Sequence, residues 1–179
     1  MQKGLSVLMV CLCLSPSYAI QATEKPTLRH VGGFQGIEAR GGMAVKGFCG
    51  GVDYSYYLHR TGYFKCGLGG EIEEDEDERT SFFSVFTQPA LAYGLGEVHD
   101  QLYLNILLGT IIAYEGLTKS GQNQHQDSLN IGIIAGLEVE FFMMQHTALL
   151  LSLLPRWLFL GDHQDAFDLA LEVGIKITF

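Results

Sequence analysis

Eight segments of this chain alternate apolar and polar residues with a period of two, and this alternation constrains the fold more than any other feature. The last segment, LALEVGIKITF, places an apolar residue at every odd position from 169 to 179. Successive side chains of a β-strand point to opposite faces, so the pattern predicts a strand with one apolar face. Similar segments occupy residues 36–45, 52–59, 64–72, 82–93, 102–114, 129–141 and 148–160. Because no stretch after residue 19 has a convincing helical period, the sequence predicts an all-β protein.

The connections between these segments alternate in length and composition. Links at residues 46–51, 73–81, 115–128 and 161–165 are longer or rich in charge and glycine, whereas those at 59–62, 94–101 and 143–147 are compact. An even number of antiparallel strands, with short turns at one end and longer loops at the other, is typical of outer-membrane barrels. We therefore predict an eight-stranded antiparallel up-and-down transmembrane β-barrel over residues 33–179. Pro89 cannot donate to a strand ladder, which predicts a bulge or a strand boundary.

Glycines indicate which face of the strands points into the barrel. Alternation alone fits a membrane barrel with a polar interior, but also a soluble barrel or sandwich with a solvated polar face. The interior of an eight-stranded barrel is only just wide enough for side chains, so small residues belong inside. Most strand glycines share the polar face, namely Gly36, Gly42, Gly67, Gly69, Gly109, Gly132, Gly136 and Gly174. This distribution favours a polar interior and an apolar exterior, which only lipid tolerates.

Charged residues on the polar face would then lie inside the barrel. An unpaired charge in a narrow interior is costly, so each of these side chains needs a partner of opposite sign. The candidates are Glu38, Arg40, Asp53, Lys65, Glu71, Glu138, Glu140, Arg156, Asp168, Glu172 and Lys176. The sequence therefore predicts a packed polar lumen held by ion pairs rather than an open pore.

The chain begins with the pattern of a secretory signal. Lys3 precedes an apolar run at residues 5–14, and Ser17 and Ala19 have the spacing that signal peptidase reads. The run is too short to cross a hydrocarbon core, which needs about twenty residues. We predict a signal peptide at 1–19, a short periplasmic segment at 20–32, and a barrel in the cell outer membrane. The formal net charge of −9 argues against direct nucleic-acid binding, which depends on clustered Lys and Arg.

No residue pattern predicts an enzyme, a cofactor or a metal site. The histidines lack the spacing of a zinc site, and there is no nucleophile elbow or phosphate loop. A lipid hydrolase or acyltransferase that uses His163, Asp165 and a serine stays an alternative. The acidic run at 71–79 is typical of a solvated loop, with divalent-cation binding as the alternative. Cys49 is expected in the first outer loop and Cys66 on the lipid face roughly 20 Å away, too far for a disulfide.

Six short motifs occur in order from Gly33 to Phe179. They are GFQGIEARGGM, GYF, IIAYE, GLEVEFF, ALLLSLLPRWLFLGDHQ and LEVGIKITF. The set resembles the TraO family of conjugal transfer proteins from Bacteroidetes conjugative transposons. This resemblance implies a structural or accessory outer-membrane component of a conjugative DNA-transfer apparatus, with other transfer proteins as partners. The first alternative is a general small outer-membrane barrel of adhesion or stress type. The second alternative is a membrane-embedded lipid enzyme.

The terminal strand also resembles the assembly signal of outer-membrane barrels. In such proteins the last strand carries a polar residue, a glycine two positions later, and apolar residues at the third-last and last positions. Glu172, Gly174, Ile177 and Phe179 occupy these places. The resemblance implies recognition by the barrel-assembly machinery, with outer-membrane lipid as the final surroundings.

Overall fold

The computed structural model describes residues 32–45, 47–59, 61–75, 80–99, 101–119, 124–159 and 167–179. The predicted signal peptide and most of the predicted periplasmic segment lie outside these residues. The strand segments are β1 (Gln35–Ala44), β2 (Gly47–His59), β3 (Gly62–Asp75), β4 (Thr80–Thr87), β5 (Ala90–Val98), β6 (Leu102–Lys119), β7 (Gln124–Met144), β8 (Thr147–Leu158) and β9 (Phe167–Thr178). In the described part of the chain, no helix is long and apolar enough to span a membrane.

These segments close into a single antiparallel barrel. Each consecutive pair from β5 to β9 is hydrogen-bonded, β1 pairs with β2, and β2 pairs with β3. The last strand then returns to the first, with Ile37 opposite Ile177. This closure satisfies the backbone groups of every strand without leaving an exposed edge, as a bilayer requires.

The segments β4 and β5 are two halves of one barrel strand. Both lie between β3 and β6, and the register is the same on either side of the gap. Lys65 faces Ala90 and Leu68 faces Thr87, so no residue is inserted. The ladder is interrupted at Gln88 and Pro89, where proline lacks an N–H donor. The barrel is therefore eight-stranded, as predicted, and Pro89 marks a boundary between segments rather than a bulge.

Three predicted links are largely strand in the structure. The link predicted at 46–51 is already part of β2, β5 continues through most of the link predicted at 94–101, and β6 and β7 pair through most of the link predicted at 115–128. In these places polar or glycine residues interrupt the alternation, but the backbone ladder continues because pairing does not depend on side-chain polarity. One consequence is that Cys49 lies on β2 with its side chain buried, and not in an outer loop.

The outward face of the barrel is a continuous apolar band. Large apolar side chains on this face expose 37% to 72% of their surface. On β9 the band runs from Phe167 to Phe179, which at ~3.4 Å per residue is roughly 40 Å along the strand. With a strand tilt of about 40°, this corresponds to roughly 30 Å along the barrel axis. A band of this height and composition matches the hydrocarbon thickness of a bilayer and would be unstable in water.

The interior is more varied than the predicted polar lumen. The wall formed by β9, β1, β2 and β3 carries most of the buried charge. One apolar cluster contains residues of both walls, and two others lie on β4 to β8. One cluster comprises Phe86, Ala90, Ile111, Ala113 and Ile134, with Leu158 packed against it. Another contains Tyr103, Phe142 and Ala148. The alternation did not predict these interior residues, because β6 and β8 are apolar on both faces over much of their length.

Small residues inside the barrel allow the strands and side chains to approach closely. A Cβ atom added to Gly67 would collide with Oδ1 of Asp53 and with the backbone of β2. One added to Gly69 would collide with the ring of Phe86. These glycines make room for a buried carboxylate and a buried ring in a narrow interior.

Candidate functional site

All eleven charged residues that the sequence assigns to the interior are buried there. None exposes more than 7% of its surface, and they come from β1, β2, β3, β7, β8 and β9. Their side chains point inward because each residue alternates with outward-facing residues along its strand. The register of the closed sheet then brings residues that are far apart in sequence into contact, in two layers that share Asp53.

The first layer, nearer the chain termini, contains Lys65, Lys176 and three glutamates. Nζ of Lys65 lies 2.7 Å from Glu38 and 2.9 Å from Glu138, and is 3.7 Å from Asp53. Nζ of Lys176 is fully buried, 3.4 Å from Glu140 and 3.9 Å from both Glu38 and Glu138. Each lysine is therefore surrounded by carboxylates, which offsets the cost of removing its charge from water.

Two tyrosines complete this layer. The hydroxyl of Tyr57 donates to Glu140 at 3.1 Å, and that of Tyr63 donates to Glu138. The ammonium of Lys176 lies 4.3 Å from the ring centre of Tyr63, within range of a cation–π interaction. An aromatic residue near a strand end is typical of the membrane surface, but Tyr63 is buried in the lumen. Its position two residues before Lys65 was the available signal, because residues two apart share a face.

The second layer contains the two arginines. Nε of Arg40 lies 2.5 Å from Asp53, and its Nη1 donates to Glu172. Arg156 donates to Glu71 at 3.2 Å, to Asp168 at 3.3 Å and to Glu172 at 3.0 Å. Glu172 thus bridges both guanidinium groups. Charge-assisted bonds of this kind are the strongest hydrogen bonds in proteins, and their geometry fixes the two arginine side chains.

Neighbouring side chains close this second layer. The guanidinium of Arg156 stacks over the ring of Phe86 at 4.7 Å, on the apolar wall of the interior. The thiol of Cys49 donates to Glu172 at 3.5 Å. Both described cysteines, Cys49 and Cys66, are free thiols. The ion pairs of this layer therefore contact apolar side chains of the interior directly.

A smaller polar cluster lies further along β6 and β7. The side-chain amide of Asn130 donates to Glu115, and both residues are buried. The sequence prediction missed Glu115 because it placed the residue in a loop. With it, the described interior holds eight carboxylates and four basic side chains. An interior with this acidic excess would favour cations over anions if water were admitted.

The described residues show no arrangement typical of a catalytic or metal site. None of their His, Cys, Asp and Glu side chains form a group of three or more that could hold a metal ion. His146 lies in the β7–β8 turn, where its Nδ1 is 3.0 Å from the carbonyl oxygen of Thr178. The possible hydrolase residues His163 and Asp165, and most of the acidic run at 71–79, lie outside the residues whose side chains are described.

The four residues of the possible assembly signal occupy the last strand. Glu172 and Gly174 face the interior, whereas Ile177 and Phe179 face outward and expose 55% and 56% of their surface. The backbone of Phe179 exchanges hydrogen bonds with Gln35 at the start of β1. The end of the chain is therefore held in the closing seam of the barrel.

Comparison with solved structures identifies the fold as that of small outer-membrane barrels. A major outer membrane protein from Thermus thermophilus aligns with a TM-score of 0.68 at 14% identity, covering 82% of this chain and 99% of that one. The N-terminal β-barrel domain of Pseudomonas aeruginosa OprF aligns at 0.63 and 15%, covering 83% and 98%. Ail, the attachment invasion locus protein of Yersinia pestis, aligns at 0.56 and 13%, covering 83% and 100%. No protein-family model and no curated protein matches the sequence.

Proposed function

We propose that this chain is a small outer-membrane protein whose barrel is closed to solutes and which acts through its loops outside the cell. The observation that carries the proposal is the pair of ion-pair layers that, with the apolar clusters, fill the interior. Lys65, Lys176, Arg40 and Arg156 each contact at least two carboxylates inside the lumen. The pairs Lys65–Glu138 and Arg156–Glu71 join strands that are not neighbours, so they cross the lumen. A barrel that conducts no solute leaves its external surface as the part available for interaction.

The location in the outer membrane rests on three observations. The N-terminal sequence has the pattern of an export signal, the barrel exterior is a band of apolar side chains, and the fold matches solved outer-membrane barrels. The beginning of β1 and the end of β9 lie at one rim, together with the ends of β2 and β7 and the beginnings of β3 and β8. In outer-membrane barrels this rim faces the periplasm. The opposite rim, which includes Asp75, Thr80, Lys119 and Gln124, then faces the outside.

An attachment or surface-structural role is the function that these features support best. Ail, an attachment invasion locus protein, shares the eight-stranded fold. The outer links of the present chain include the acidic sequence EDER at 76–79 and the polar sequence SGQN at 120–123. Charged and polar loops on a rigid barrel suit contact with another surface, because the scaffold limits the entropy lost on binding. No enzymatic step is part of this proposal.

Conjugative DNA transfer is a second candidate. It rests on the ordered sequence motifs that resemble the TraO family and has no further support in the fold, which is common to outer-membrane barrels of many roles. In that case the same outer and periplasmic surfaces would contact other transfer proteins. Direct contact with DNA is not expected, given the formal net charge of −9.

One set of strains distinguishes these functions. The gene is deleted and then restored as wild type, as a variant with residues 76–79 and 120–123 replaced by short Gly-Ser linkers, or as the turn control Gln145→Ser. We expect deletion and the linker variant to reduce attachment to a coated surface, and the control to restore it. A loss of transconjugants with unchanged attachment would favour conjugation. Unchanged attachment and transfer after deletion would contradict both functions.

The closed interior is tested independently by electrical recording. Wild-type protein in a planar bilayer should give no stepwise current in salt solution, because the charged layers occupy the lumen. Stable conductance steps from the folded wild-type protein would contradict this part of the proposal and favour a channel.

A further inference from the structure

Three adjacent strands place glycines side by side on the lipid-facing wall. Gly41 on β1 is opposite Gly50 on β2, and Gly50 is opposite Gly70 on β3. All three occupy outward positions, because the residues before and after them on each strand include interior groups such as Arg40 and Glu71. The three glycines form a row across the strands, and no side chain projects from this row into the otherwise continuous apolar band.

A groove of about 490 Å³ lies over part of this row. Its floor includes Gly50 and Gly70, and its sides include Phe48, Ile72, Phe83 and Val85. Cys49, Glu71 and Ser84 also border the groove, but all three are buried. The surface that the groove exposes is therefore almost entirely apolar and offers mainly dispersion contacts. It is open to the same surroundings as the rest of the lipid-facing band.

Packing between the strands accounts for only part of the glycine row. A Cβ atom on Gly41 would have its nearest neighbour at 3.8 Å, an ordinary contact, and one on Gly70 would lie 3.3 Å from a backbone oxygen. A Cβ atom on Gly50 would lie 3.0 Å from the carbonyl oxygen of Arg40, so close packing favours glycine there. Glycine also weakens a strand relative to residues with side chains. A side chain fits at Gly41, and one at Gly70 needs a shift of its neighbour by a few tenths of an ångström, so packing does not require glycine at all three positions.

The side chains beside the groove lack neighbours on one side. Their exposed fractions are 72% for Phe48, 61% for Ile72 and 53% for Val85. Leucines on the same outward face of β8 expose less, with 38% for Leu149, 47% for Leu151 and 41% for Leu153. The groove side chains therefore leave more apolar surface uncovered than those of β8, as do Leu108 and Leu129 with 65% and 63%.

We propose that this groove binds one acyl chain of a lipid in the outer half of the membrane. The inference rests on the proposed outer-membrane location and adds a specific lipid contact to it. Gly41 and Gly50 are three residues from the ends of β1 and β2 near the outer rim, or about 10 Å along the strands. An acyl chain can adapt to an apolar groove and is continuous with the lipid that covers the rest of the band.

A second copy of the chain fits the groove less well. A symmetric dimer would bring the same concave patch against itself, and two hollows cannot fill one another. Stable interfaces also bury about 800 Å² on each partner, more than a narrow groove across three strands provides. Neither restriction applies to a flexible acyl chain.

Photo-crosslinking in vesicles tests the proposal. The folded full chain is reconstituted into phosphatidylcholine vesicles that contain a phosphatidylcholine with a diazirine on one acyl chain, and labelled peptides are mapped by mass spectrometry. We expect severalfold more label at Phe48, Ile72 and Phe83 than at Leu151 on the opposite wall. Gly70→Leu should remove the excess, and Ala135→Leu, an outward substitution on β7, should preserve it. Gly70→Ala provides a milder variant if the leucine impairs folding, which a heat-modifiability gel reports.

The outcomes separate this inference from the proposed function. Even labelling of both walls would overturn the lipid site and leave the membrane location intact. Protein–protein crosslinks at the groove would overturn it in favour of a second copy. An absence of label on every wall would overturn the site and the membrane location together.

Discussion

Replacing Arg156 by methionine is the perturbation that examines the interior most directly. The arginine exposes 2% of its surface and has Glu71, Asp168 and Glu172 as partners at 3.0 to 3.3 Å. Methionine keeps most of the side-chain volume and the contact with Phe86 but removes the charge. Removing one partner of a buried ion pair costs about 3–5 kcal/mol, because the other partner keeps its charge without compensation. If a carboxylate that has lost its arginine partner takes up a proton, the loss of stability moves toward the lower end of this range. We therefore expect the free energy of unfolding to fall by about 3 kcal/mol.

The measurement is equilibrium urea unfolding in lipid vesicles, followed by the fluorescence of Trp157, the single tryptophan of the chain. Leu151→Met, an outward substitution on the same strand, is the control and should change stability by less than about 0.5 kcal/mol. In a double-mutant cycle, Asp168→Asn should cost less in the Arg156→Met background than alone, since the two residues face each other across β8 and β9. A loss below about 1 kcal/mol for Arg156→Met, with no coupling to Asp168, would refute the reasoning, because that value is typical of a solvated pair.

Two further predictions concern assembly and interior space. Phe179→Asp, or a polar tail added after Phe179, should lower the fraction of protein that reaches the heat-modifiable form in the outer membrane, whereas Phe179→Leu should restore it; normal insertion of the aspartate and tailed variants would show that the last residue carries no assembly signal. Gly67→Val should prevent folding, because its Cβ would collide with Asp53 and the β2 backbone. The control Gly96→Val should fold, because nothing lies within 4 Å of its Cβ. Equal yields of folded protein from the two variants in a refolding assay would contradict the close approach at Gly67.

The period of two was sufficient to predict the inward face of eleven of the twelve charged side chains that are buried in the described interior, with Glu115 as the exception. Glu138 and Lys65 are both correctly assigned to the interior on this basis alone. The sequence could not predict that they would be partners, because they lie on strands that are neither consecutive nor adjacent in the barrel. Their contact across the lumen depends on the register of every strand between them, and a shift of one residue would turn each side chain to the other face.

Several interior residues were not predicted, and a physical reason can be given for each. Tyr63 and Tyr103 are aromatic and near strand ends, as residues at a membrane surface often are, but their alternation with outward residues places them inside. Glu115 follows an apolar run and precedes a polar stretch, so it resembled the start of a loop. The alternation did not predict that Ile111 and Leu107 face the interior, because both faces of β6 are apolar. The interior wall next to Phe86 can be apolar where no charged side chain needs a partner.

The central claim is that the apolar face of this barrel contacts lipid while the charged face is enclosed. Trp157 tests it without any substitution, since it is the only tryptophan, lies on the outward face of β8, and packs 5.5 Å from Phe167 near the outer rim. In reconstituted vesicles, lipids with bromine close to the headgroup should quench its fluorescence strongly, and aqueous acrylamide should quench it weakly. Strong quenching by acrylamide with none by brominated lipid would place Trp157 in water and contradict the account.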